Sequence, residues 1–192
     1  MNFGAWWHHQ RARFFIALEK NDRAIEELRA TLVLTPSSVI ALESLAFLHA
    51  SAGRPGPAIE HFEKALAIAP DHAETWFNLG FVCHAEKQYD AAIRAFSRAV
   101  ELRPHIDRAW YGMGLAYRTL GRLDEAAGAL ERAGKLQPMN PHAWYELGMT
   151  YHASNRYDKV GEVIAYLKGF DPEMTQQLLR DTSDRSGPES TV

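Results

Sequence analysis

Five prolines recur at a fixed interval of 34 residues: Pro36, Pro70, Pro104, Pro138 and Pro172. Proline cannot continue a helix, so each one marks the end of a helical segment. A period of that length is the mark of stacked supersecondary units sharing one core. Counting back from the prolines gives five units: 5–38, 39–72, 73–106, 107–140 and 141–174. Each unit has room for two helices of about fourteen residues.

The columns of this alignment predict how the helices meet. The eighth column reads Ala12, Ala46, Gly80, Gly114, Gly148, and the twentieth Ala24, Ala58, Ala92, Ala126, Val160. Small residues there let the paired helices approach. The twenty-fourth column is large: Leu28, Phe62, Phe96, Leu130, Ile164. Small facing large is how helix surfaces interlock. Gly53 and Gly121 fall where the first helix turns into the second and supply a left-handed residue.

The middle of the chain carries one sentence twice. It reads Trp76, Leu79, Gly80, Cys83, then Ala92, Phe96 and Pro104. It returns as Trp110, Met113, Gly114, Tyr117, then Ala126, Leu130 and Pro138. The pattern resembles the tetratricopeptide repeat. That resemblance implies an all-α, right-handed superhelical solenoid of five helix-turn-helix units. A capping helix follows at about 172–181, begun by Asp171 and Pro172. The repeat domain is expected over 1–182, with a polar, disordered tail over 183–192. The final residues, Glu189 to Val192, resemble a ligand for PDZ domains.

The resemblance also places a binding surface. In this family the first helix of each unit lines a concave groove. The inward positions here are Phe47, Phe77, Phe81, Tyr111, Leu115, Tyr145 and Met149, an apolar, largely aromatic floor. Asn78, His84, Arg108, Arg118 and His152 form its polar and partly basic flanks. The expected occupant is a peptide or amphipathic helix of another protein, with apolar side chains on the floor and carboxylates towards Arg108 and Arg118. Asn78 and Arg108 match two places of the carboxylate clamp of the heat-shock co-chaperone members. Glu43, Phe47 and Gly112 stand at the other three, so that specificity is not expected.

The first unit departs from the pattern, with His8 in the tryptophan column and Arg11 in the leucine column. Terminal repeats are commonly atypical caps. The alternative is a sticky end, in which Trp6, Trp7, Phe14 and Phe15 bind a second copy or another protein. The chain is then a self-assembling homo-oligomeric scaffold, joined through this aromatic end or through the groove, rather than a peptide-binding adaptor, scaffold or chaperone.

Chemistry is not expected. The nine histidines lack the spacing of metal ligands, and no phosphate loop, nucleophile elbow or paired-carboxylate motif is present. No cofactor is expected. Net charge is −3, and no 34-residue block departs from neutrality by more than two, so no nucleic-acid footprint appears. No apolar run is long enough to span a membrane. The one cysteine, Cys83, excludes an internal disulfide and suits a cytoplasmic setting. Its column packs inwards, which makes it a small buried hydrophobe rather than a nucleophile.

Overall fold

The computed structural model describes residues 2–183. The described residues are helical throughout, joined by short turns. They divide into two compact units, one ending at Pro104 and one beginning at His105. Glu189 to Val192 and most of the expected tail lie outside the described residues.

The first unit holds three antiparallel helix pairs: α1 (Phe3–Ala17) with α2 (Asn21–Leu34), α3 (Val39–Ser51) with α4 (Pro55–Ile68), and α5 (Ala73–Ala85) with α6 (Tyr89–Leu102). The second holds α7 (Asp107–Thr119) with α8 (Leu123–Leu136), α9 (Pro141–Ala153) with α10 (Tyr157–Lys168), and a closing α11 (Pro172–Ser183). Within each unit, the second helix of one pair also packs on the first helix of the next.

One turn recurs in every pair. The residue at position fifteen is left-handed each time: Glu19 (φ 56°), Gly53 (66°), Lys87 (59°), Gly121 (73°) and Asn155 (58°). The next amide donates to the carbonyl five residues back, as in Lys20 N to Phe15 O and Gln88 N to Cys83 O, both 2.9 Å. This closes the first helix with a Schellman motif. Sequence marks the conformation at the two glycines and at Asn155, whose side chain tolerates it. The hydrogen bonding imposes it on Glu19 and Lys87 despite their β-carbons.

The tryptophan and proline columns are physically joined. Trp76 Nε1 donates to the carbonyl of Pro70 at 2.8 Å, and Trp144 Nε1 to that of Pro138 at 3.0 Å. The indole thus satisfies a carbonyl that proline leaves at the end of the preceding helix. The Trp144 ring also lies over Gly134 of α8, where a β-carbon would stand 2.8 Å away.

The small-facing-large interlock appears with one exception. A β-carbon on Gly80 would meet the Phe96 ring at 2.7 Å, and one on Gly114 would meet Leu130 at 2.6 Å. At Gly148 the nearest side chain is Leu178 of α11, at 2.7 Å, not Ile164 of its own pair. Val160 of α10 stands where the other four pairs carry alanine, and it joins the buried cluster of Leu147, Tyr151 and Leu178. Leu178 fills the glycine notch and is fully buried.

Candidate interaction surface

In the first unit, α3 and α5 place Phe47 and Phe81 at the same register, and both point outwards, 61% and 58% exposed. The helices themselves are fixed by buried neighbours, Leu45, Ala46 and Leu48 around Phe47, Gly80 and Val82 around Phe81. Asn78 and His84 of α5 are half-buried. The His84 ring meets the edge of Tyr89 at 5.5 Å. Phe77 belongs to the core rather than the surface. It is 8% exposed and packs on Phe96 at 6.0 Å, because Gly80 opens room for that ring and Phe77 closes over it.

Glu43 of α3 is occupied within the unit. It accepts a hydrogen bond from the Thr75 hydroxyl and pairs with His72 Nδ1 at 2.5 Å, tying α3 to the start of α5. At the N-terminal helix, Trp6, Trp7 and Phe14 are exposed. Phe15 instead packs against the core around Ala12, Ala24 and Leu28, with the Arg23 guanidinium over its ring at 5.7 Å. His8 and Arg11 converge on Glu27 of α2, at 2.6 and 2.9 Å, which explains their place in the tryptophan and leucine columns.

The second unit offers less open surface than the sequence implies. Arg108 is exposed, and Tyr111 and Leu115 are half-buried. Arg118 pairs with Glu146 of α9 at 2.7 Å, so its charge is already met. Burial raises the Glu146 carboxyl above the ordinary range, with Arg118 and His142 opposing. Tyr145 donates its hydroxyl to Asp181 of α11 at 2.6 Å, and Met149 packs on the core cluster that includes Leu178. His152 lies edge-on to Tyr157 at 5.7 Å. The capping helix thus claims two residues that sequence register assigns to the floor.

No group of three potential metal ligands occurs among the described residues. Cys83 is buried, and burial pushes its thiol above the ordinary value, so it is a poor nucleophile. No helix among the described residues is long and apolar enough to cross a membrane.

Three histidines of the first unit titrate low. Burial depresses His49, with Arg54, His61 and Arg29 adding to it; burial and then Arg13 depress His9; burial depresses His84. His49 Nδ1 has no hydrogen-bond partner among the described residues. A lowered histidine pKa means the unfolded chain binds protons more readily than the folded one. Its contribution is therefore complete above the unfolded value near 6.5 and is lost as pH falls through the folded value. The first unit is expected to weaken from pH 7.5 to pH 5.5, read as a falling urea midpoint. Replacing His49 by glutamine should flatten that slope.

Paired antiparallel helices at a 34-residue period, with the tryptophan column bonded to the proline column, define a tetratricopeptide-repeat protein. A family model described as the cilia and flagella-associated protein 70 C-terminal domain matches residues 9–168, and the chain belongs to that tetratricopeptide-repeat family. No curated protein sequence matches it significantly. Among solved structures, a MamA protein is 23% identical, with 98% of each chain covered and a TM-score of 0.82. YrrB, described as a tetratricopeptide-repeat protein with an unusual peptide-binding site, is 22% identical, with 90% of each chain covered and a TM-score of 0.80. PilF of Pseudomonas aeruginosa is 20% identical, covering 96% of this chain and 86% of its own, with a TM-score of 0.72. At these identities the likeness establishes the fold.

Proposed function

We propose that the chain is a non-catalytic protein-interaction module, an adaptor, scaffold or chaperone, that holds an apolar or amphipathic segment of a partner protein. The observation that carries this reading is the pair Phe47 and Phe81. Two phenylalanines at one register of successive first helices stay largely in water while their neighbours build the core. An occupant that covers them gains large aromatic contact at little entropic cost. Asn78 flanks them on α5 with an amide that orients a peptide backbone, and the half-buried His84 ring borders the same face. Independently of that pair, the second unit offers Arg108, Tyr111 and Leu115 of α7 as a separate candidate surface. The peptide-binding description of YrrB supports the same reading. The even charge distribution favours protein over nucleic acid, and the reading includes a cytoplasmic setting.

The test selects peptides from a displayed library on the purified chain and measures their affinity by fluorescence anisotropy. The Phe47→Ala/Phe81→Ala variant should bind the selected peptides about 30-fold more weakly or worse, since two buried aromatic anchors are lost. Circular dichroism should not change, because neither side chain supports the core. Equal binding by variant and wild type refutes the assignment.

A further inference from the structure

The first helix presents a face that every later first helix hides. In α3, Ala41, Leu45 and Leu48 pack on Ala24, Ile25 and Leu28 of the preceding α2, and all are buried. One period earlier those positions are Trp7, Arg11 and Phe14 of α1. Trp7 is 52% and Phe14 60% exposed, and no described helix covers them. Phe3, Trp7, Phe14 and Leu18, all exposed, form one stripe. At about 100° per residue they fall within about 60° of arc, opposite the buried Ala5 and Ala12.

We propose that this stripe is the contact between two copies of the chain, with α1 lying antiparallel against its counterpart across a two-fold axis. The inference goes beyond the peptide-binding reading and does not depend on it. The stripe is close to palindromic about the point between Gln10 and Arg11. Phe3 and Leu18 stand equally far from that point on either side, as do Trp7 and Phe14. An antiparallel copy therefore sets apolar side chains against apolar ones along the whole helix, the self-complementarity that an isologous contact demands.

The charges permit it. Arg11, near the axis, is held by Glu27 of its own copy. Arg13 shares an edge with Trp6, and the two-fold axis brings each Arg13 beside the other copy's Trp6, a favourable cation–π arrangement. The area is adequate. With aromatic side chains at roughly 200 Å² each, the exposures leave on the order of 500 Å² of apolar surface per copy. The resulting total of roughly 1,000 Å² is the lower bound for a specific interface. A head-to-tail contact with α11 is disfavoured, because its exposed residues include Glu173, Gln176 and Arg180.

Sedimentation velocity of the full chain across the micromolar range tests this. Wild type should pass from monomer to dimer, and Trp7→Glu/Phe14→Glu should weaken the association at least 100-fold with helicity unchanged. Phe47→Ala/Phe81→Ala should dimerise as wild type does, which separates this contact from peptide binding. Geometry is read by cysteine substitution, Cys83 being buried. Gln10→Cys lies at the axis and should oxidise to a linked dimer. Ala17→Cys should not, since two copies of that position lie about 20 Å apart at 1.5 Å per residue, beyond disulfide reach. A chain that stays monomeric throughout overturns the proposal, and so does one that floats instead with phosphatidylcholine vesicles. A dimer indifferent to the glutamates, or linked equally well through Ala17→Cys, also overturns it.

Discussion

Replacing Phe96 by alanine should remove about 3–5 kcal/mol from the stability of the first unit. The side chain is 2% exposed, and its ring fills the space that Gly80 leaves on α5. Phe77 packs against it at 6.0 Å. Because Gly80 has no side chain to move inwards, the cavity cannot close from that side. The loss is a large part of the roughly 5–15 kcal/mol that holds an ordinary domain. The internal control is chemically identical. Phe47→Ala and Phe81→Ala delete the same ring from exposed positions and should stay within about 0.5 kcal/mol of wild type. Urea unfolding of the three variants decides it. Equal losses at all three would mean that burial does not govern these helices.

Replacing Leu178 by alanine should cost about 2–5 kcal/mol and release α11 from its seat. This leucine is fully buried in the notch over Gly148. Without it, a helix of 12 residues is marginal on its own. Tyr145 reports the release. Burial, then its hydrogen bond to Asp181, pushes the Tyr145 hydroxyl up to about 12. A phenol titrating above its unfolded value near 10 contributes stability that is whole below pH 10 and fades as pH rises through about 12. Once α11 detaches, Tyr145 should titrate near 10, read as tyrosinate absorbance between those limits. An unchanged titration in Leu178→Ala would show that α11 stays docked without its anchor.

The repeat was legible because its residues act on one another at fixed spacing. The tryptophan column bonds the proline column, and the glycine column receives the large column, so the 34-residue interval carries real contacts. The surface was less legible because register says which way a residue faces but not what else arrives there. Phe77 occupies a floor column, yet the ring of Phe96 draws it inside. Tyr145 bonds Asp181 of α11 and Met149 packs on the cluster that includes Leu178, because the notch at Gly148 takes α11 rather than Ile164. The pairing of Arg118 with Glu146 had a signal that was readable in retrospect. Opposite charges stand at positions twelve and six of successive first helices, and the helices bring them to 2.7 Å. The left-handed turn at Glu19 and Lys87 had none, because neither residue favours that conformation.

The central claim is that Phe47 and Phe81 mark the face of α3 and α5 that a partner segment covers. Hydrogen exchange of the chain, free and saturated with a selected peptide, tests it most directly. The account predicts slowed exchange along α3 and α5, centred on those two residues, with α9 and α11 unchanged. Protection confined to α1, or to the second unit with none on α3 and α5, would contradict it.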